Sequence, residues 1–144
     1  MDEIKTQKKI LIVEDDQSLL KGLVDKFTRE NFAVHFAANG VEGLSSAMIN
    51  HPDLILLDIV MTQMDGLTML EKLRAADEWG KHVPVVFLTN LSPDNDKIIA
   101  RIIKDEPAFY LVKSNFMLSD VVAKVNECLA AKALENGTKK EETE

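Results

Sequence analysis

The sequence predicts an α/β fold in which a five-stranded parallel sheet is covered by helices on both faces. The most apolar stretch, Leu54-Ile55-Leu56-Leu57, has the composition of a strand that is buried on both faces, as in parallel sheets. Similar short runs alternate along the chain with segments of helical i, i+3, i+4 spacing, which predicts strand–helix–strand crossovers. For five strands, the doubly wound, flavodoxin-like strand order 2-1-3-4-5 is the leading choice.

Each element can be placed from its own pattern. The strands are predicted at Ile10–Val13, Ala33–Ala37, Leu54–Leu57, Pro84–Leu88 and Phe109–Val112. The helices carry apolar faces that begin at Leu19, Val41, Leu67, after Ser92-Pro93-Asp94, and at Leu118. Asp16 stands where the N-cap of the first helix belongs, and Trp79–His82 is predicted to be a connection. We therefore expect one domain over residues 1–135 and a disordered polar tail over residues 136–144.

Bulk properties exclude several classes of protein. A length of 144 residues suits a single domain with a sizeable core, and a net charge of −7 argues against nucleic-acid binding. The only cysteine, Cys128, cannot form an internal disulfide. The polar start, Met1–Lys9, lacks the apolar segment of a signal peptide, and no apolar run approaches the roughly 18 residues of a membrane span. A cytoplasmic protein without nucleic-acid or membrane partners is predicted.

Polar residues follow four of the five predicted strands. Glu14 and Asp15 follow the first, Asp58 the third, Thr89 the fourth and Lys113 the fifth. The carboxyl ends of parallel strands meet at one edge of the sheet, where ligands of this fold class bind. Because the first and third strands are neighbours in the predicted order, the three carboxylates should converge, with Thr89 and Lys113 on the far side of Asp58.

This combination of groups suits phosphoryl chemistry. Three carboxylates held together repel one another unless a cation neutralises them, and Mg²⁺ prefers carboxylate oxygens, water and phosphate. A hydroxyl and an ammonium beside the same carboxylate are what an incoming phosphoryl group needs. Asp58 itself can act as a nucleophile, since carboxylates form acyl phosphates.

At this point the residues resemble the receiver domain of two-component response regulators over about residues 8 to 134. The matching motifs are Ile10–Asp16, Leu56–Met61, Met64-Asp65-Gly66, Thr89 and Tyr110–Lys113. The resemblance implies that the protein is a signalling switch of a histidine-to-aspartate phosphorelay. It would catalyse at most its own phosphorylation, from a phosphohistidine or a small phosphodonor, and its own dephosphorylation.

The resemblance also implies a role for each site residue. Asp58 would accept the phosphoryl group from a histidine kinase or a histidine phosphotransfer protein. Asp15 would bind Mg²⁺ directly and Glu14 through water, and Asp58 and the Val60 backbone carbonyl would complete the protein's share of ligands.

Three further residues would link the site to its output. Thr89 would follow the phosphoryl group, and Lys113 would pair with it. Tyr110 would change rotamer on activation and shift the face built by the fourth predicted helix, the fifth strand and the last helix. That face is the expected surface for a homodimer or an effector.

The sequence departs from the family pattern at three positions. Thr62 stands where the family usually has proline, and Asn90 stands where it has a very small residue. Ser114 replaces the proline that usually follows the family lysine in a cis peptide bond, and a cis bond before serine would cost about 2.5–4 kcal/mol. We expect these changes to affect loop geometry and the lifetime of the phosphoryl group.

Two alternatives belong to other functional classes. A pseudo-receiver would keep the fold as an interaction module without phosphoryl transfer. An aspartate-based phosphohydrolase needs a second aspartate two residues after its nucleophile, and this chain has Val60 there. A dinucleotide-binding domain is disfavoured because no Gly-x-Gly-x-x-Gly follows the first strand, where Glu14 and Asp15 would repel a pyrophosphate.

Overall fold

A computed structural model of the protein describes residues 7–89, 109–112 and 117–142 and the side chains of residues 7–88 and 117–136. The strands are β1 (Lys9–Val13), β2 (Ala33–Ala37), β3 (Leu54–Leu57), β4 (Val85–Thr89) and β5 (Phe109–Val112). They pair in parallel in the order β2-β1-β3-β4-β5. The predicted doubly wound sheet is confirmed.

The sheet is buried on both faces because successive strand residues point to opposite sides. One core cluster contains seven strand residues: Leu11, Val13, Ala37, Ile55, Leu57, Val85 and Phe87. The other contains their neighbours in sequence: Ile10, Ile12, Leu54, Leu56, Val86 and Leu88. The run Leu54–Leu57 is therefore fully buried, as its composition predicts.

Helices cover both faces of this sheet. They are α1 (Gln17–Arg29), α2 (Gly40–Asn50), α3 (Gly66–Ala76), α4 (Glu78–His82) and α5 (Leu118–Glu142). α2 and α3 contribute buried residues to the first cluster, whereas α1 and α5 contribute buried residues to the second. This distribution on two faces is the doubly wound arrangement.

Local signals fix the ends of the first two helices. The Asp16 carboxylate accepts a hydrogen bond from the Leu19 backbone N–H at 3.1 Å, so this residue is the predicted N-cap of α1. After α1 the backbone reverses at Asn31, which has a φ of 68°, and α2 ends at His51, which has a φ of 44°. Left-handed residues of this kind commonly terminate helices.

The prediction that Trp79–His82 is only a connection is wrong, because these residues lie in the short helix α4. Asp77 caps this helix by accepting a hydrogen bond from the Gly80 backbone N–H at 2.7 Å. At the other end, the Val83 backbone N–H donates to the Trp79 carbonyl at 3.1 Å. A single turn is too short to give a helical periodicity in sequence, so only the cap could have indicated it.

The last helix, α5, continues to Glu142 and so enters the segment for which the sequence predicts a polar tail. Among residues 118–136, whose side chains are described, the buried ones are Val121, Val122, Val125 and Cys128, all before residue 130. The division of the chain at residue 135 stays a prediction. None of the helices in the described ranges is long and apolar enough to cross a bilayer.

Candidate functional site

The carboxyl ends of β1 and β3 lie side by side. Val13 and Leu57 are paired in the ladder, and the Asp58 backbone N–H extends it by donating to the Val13 carbonyl at 3.0 Å. On the other side of β1, the Glu14 backbone N–H donates to the Ala37 carbonyl at 3.1 Å. The backbones of Glu14 and Asp58 are therefore both hydrogen-bonded to the sheet at the point where their strands end.

Three carboxylates converge at this edge, as predicted. Glu14, Asp15 and Asp58 each offer one oxygen, and these oxygens all lie within 4.8 Å of one another. Glu14 and Asp58 are only 1% and 4% exposed, and Asp15 is partly buried. One Glu14 carboxylate oxygen, Oε2, accepts a hydrogen bond from the Asp16 backbone N–H at 3.1 Å, which fixes its direction.

The donor set fits a small hard cation. Like charges at this spacing repel strongly where burial excludes water, so a divalent ion would relieve the repulsion. All three groups offer oxygen, which Mg²⁺ prefers, and partial exposure at Asp15 leaves room for water ligands. These three residues are the ones that would hold the ion.

The two ends of the loop after Asp58 are joined by a hydrogen bond at the start of α3. The Gly66 backbone N–H donates to the Ile59 carbonyl at 2.8 Å, and the Asp65 carboxylate caps α3 by accepting from the Thr68 backbone N–H at 2.7 Å. A Cβ atom at Gly66 would lie 2.0 Å from the Asp58 carbonyl oxygen, so only glycine fits there. The predicted ligand residue Val60 lies in this loop, and its side chain is 61% exposed.

The remaining predicted site residues are only partly described. Thr89 ends β4 and pairs with Val112, and Tyr110 lies in β5 opposite Phe87. The side chains of Thr89 and Tyr110 are outside the described set.

Lys113 directly follows β5, and it lies outside the described residues, as do the family departures Asn90 and Ser114. The predicted helix that opens at Ser92 lies outside them too. For the described strands, the order of the sheet matches the predicted placement of β4 and β5 on the side of β3 away from β1.

Sequence reasoning missed the contribution of α2. Asn39 is 8% exposed and caps α2 by accepting from the Glu42 backbone N–H at 2.9 Å. The next residue, Gly40, packs against the loop that follows Asp58, and a Cβ atom there would lie 2.2 Å from the Met64 carbonyl oxygen. A glycine in the first turn of a helix, where alanine would favour the helix, was the available signal.

Comparisons with known proteins agree with this geometry. The family model of the response regulator receiver domain matches residues 10–135. The transcriptional regulatory protein PrrA of Mycobacterium tuberculosis is 36% identical over 129 residues, which cover 90% of this chain and 53% of PrrA. The response regulator PleD of Caulobacter vibrioides is 39% identical over 90 residues, or 62% of this chain and 20% of PleD. The chain thus spans about half the length of PrrA, and less of PleD.

Solved receiver structures share the fold. A CheY-like response regulator receiver domain protein from Methanospirillum hungatei has a TM-score of 0.80 at 25% identity and covers 90% of this chain, with 99% of its own length matched. The Francisella response regulator 1452 receiver domain has a TM-score of 0.76 at 26% identity, covering 88% and 99%. Since the family model matches most of the sequence, the chain belongs to the receiver domains of two-component response regulators.

Proposed function

We propose that the protein is a phosphorylation switch in which Asp58 accepts a phosphoryl group. The observation that carries the proposal is the cluster of Glu14, Asp15 and Asp58, with Asp58 buried at the end of the central strand. Family membership implies a histidine kinase or a histidine phosphotransfer protein as the donor. The donor, the homodimer or effector surface and the cytoplasmic location belong to this proposal.

The transfer is a displacement at phosphorus. One Asp58 carboxylate oxygen attacks the phosphorus of a phosphohistidine, the P–N bond breaks, and its electron pair leaves with the imidazole nitrogen. The product is an acyl phosphate on Asp58. Bound Mg²⁺ would supply positive charge to the phosphoryl oxygens.

Each remaining residue has a task in this scheme. Asp15 and Glu14 would hold the cation beside Asp58, and the backbone N–H of Asp16 keeps the Glu14 carboxylate in place. The Val60 carbonyl would supply a further oxygen ligand.

Residues at the ends of β4 and β5 interact with the phosphoryl group once it is on Asp58. The Thr89 hydroxyl donates a hydrogen bond to a phosphoryl oxygen, and the Lys113 ammonium neutralises the charge of another. Tyr110 then changes rotamer and shifts the face formed by β5, α5 and the predicted helix that begins at Ser92. In this proposal residues 1–135 form the switch.

A mass measurement tests the proposal. The protein is incubated with acetyl phosphate and, separately, with phosphoramidate, each with Mg²⁺ or with EDTA, and its intact mass is recorded. We expect one labile phosphoryl adduct that requires Mg²⁺ and is absent from Asp58→Asn. Asp16→Asn is the matched control, since it alters the adjacent N-cap aspartate and should leave the adduct intact.

Two results would contradict the proposal. No adduct on the wild type with either donor would favour the pseudo-receiver alternative. An adduct of equal yield on Asp58→Asn would remove Asp58 from the phosphoacceptor role.

A further inference from the structure

The loop between β3 and α3 contains two consecutive residues in the left-handed region of backbone space. Gln63 has a φ of 49° and Met64 a φ of 87°. Neither is glycine, and such conformations persist only where the surroundings enforce them. Something outside the loop must therefore hold it.

The first turn of α2 makes one of the contacts that fix the loop. The Val41 backbone N–H donates to the Gln63 carbonyl at 3.1 Å, and as a first-turn donor it has no acceptor within its own helix. Beside it, Gly40 lies so close to the loop that a Cβ atom would be 2.2 Å from the Met64 carbonyl oxygen and 3.0 Å from the Met64 Cβ. The contact requires a residue without a side chain.

The start of α3 makes the second contact that fixes the loop. The Gly66 backbone N–H donates to the Ile59 carbonyl at 2.8 Å, and Gly66 also lies against the Asp58 carbonyl. Residues 60–62 lie between these two contacts. The backbone of Val60 is therefore positioned by α2 on one side and by α3 on the other.

We infer that Gly40 is a positioning residue for the metal site and acts through the strained pair Gln63–Met64. The inference rests on the proposed function, in which the Val60 carbonyl is a Mg²⁺ ligand. The close approach of α2 sets the path of the loop and hence the direction of that carbonyl. Groups that orient metal ligands in this way typically change metal affinity by about 10- to 100-fold when they are altered.

Substitution of Gly40 by alanine tests the inference on the full chain. The added Cβ must push the Met64 carbonyl away, although alanine favours the helix itself. We expect the dissociation constant for Mg²⁺, measured by calorimetric titration, to rise by about tenfold. Gly22→Ala is the matched control, because the nearest atom to a Cβ there is Leu118 Cδ1 at an ordinary 3.6 Å. Its affinity for Mg²⁺ should equal that of the wild type.

A second variant separates positioning from stability. Val41 is 48% exposed and lies in the first turn of α2, where proline is tolerated, so Val41→Pro removes the backbone N–H that donates to the Gln63 carbonyl without removing a buried side chain. We expect its urea midpoint in EDTA to fall only slightly, while its dissociation constant for Mg²⁺ rises several-fold because α2 no longer holds the Gln63 carbonyl. A purely structural role for the loop predicts that affinity would stay unchanged. This variant decides the matter if Gly40→Ala does not fold.

The outcomes distinguish this inference from the proposed function. A wild type that binds no Mg²⁺ would refute the metal site, and this inference with it. A wild type that binds Mg²⁺, together with folded Gly40→Ala or Val41→Pro whose dissociation constants lie within twofold of it, would refute the inference alone.

Discussion

Replacing Asp15 by asparagine should stabilise the protein in the absence of divalent cations. The Asp15 oxygen lies within 4.8 Å of an oxygen of Glu14 and one of Asp58. At that distance each like-charge pair costs about 3.5 kcal/mol at an effective dielectric of 20 and about 0.9 kcal/mol at the dielectric of water. Two pairs give about 1.7 to 7 kcal/mol. Because Asp15 is partly exposed and salt screens it, we expect the low end, a gain of about 1–2 kcal/mol.

The same substitution should remove the response to Mg²⁺. A ligand that binds only the folded state at ten times its dissociation constant stabilises that state by about 1.4 kcal/mol. The wild type should show this gain, and Asp15→Asn, which lacks the proposed direct ligand, should not. Urea unfolding followed by circular dichroism in EDTA and in Mg²⁺ measures both effects.

Asp16→Asn is the control for this pair of measurements. It removes a neighbouring charge but keeps the cap, so its stability should stay within about 0.5 kcal/mol of the wild type and its Mg²⁺ response should persist. The reasoning is refuted if Asp15→Asn is less stable than the wild type in EDTA. It is also refuted if Mg²⁺ stabilises both proteins equally.

Further predictions concern residues that support the fold. Asp16→Ala should lower the free energy of unfolding by about 1 kcal/mol, since the N-cap hydrogen bond is lost, and urea unfolding measures it. Arg74→Met should lower it by about 2 kcal/mol, because one guanidinium nitrogen donates to the Gly80 and Val83 carbonyls at 2.9 and 2.7 Å; an unchanged urea midpoint would contradict this. Burial, followed by the Glu127 charge, raises the pKa of the Cys128 thiol, so the unfolded chain loses this proton at lower pH than the folded one. The stability contributed by the protonated thiol is present below the pKa of the unfolded chain and is lost as pH rises through the pKa of the folded protein, which urea titrations at pH 8 and 10 can measure against Cys128→Val.

The sheet and its acidic edge were predictable because they depend on short-range patterns. Leu54–Leu57 could only be a strand buried on both faces, and the strand order then brought Asp58 beside Glu14. The N-cap role of Asp16 follows from its place just before a helical periodicity. These predictions depend on residue type and spacing alone.

The contact between α2 and the loop that follows Asp58 could not be predicted in the same way. It depends on the distance between Gly40 and Met64, which are far apart in sequence. It also depends on a left-handed backbone at Gln63, and glutamine is not a residue type that indicates such a conformation. The short helix α4 was missed for a related reason. Its single turn is set by the Asp77 cap, and one turn carries no periodicity.

The location of the phosphoryl group tests the central claim most directly. An acyl phosphate on aspartate is reduced by borohydride to homoserine, which tandem mass spectrometry of peptides can place at a single residue. After reaction with acetyl phosphate and Mg²⁺, we predict homoserine at position 58 and nowhere else. Homoserine at another aspartate, such as Asp15 or Asp16, would contradict the account, as would its absence from a protein that carries the adduct.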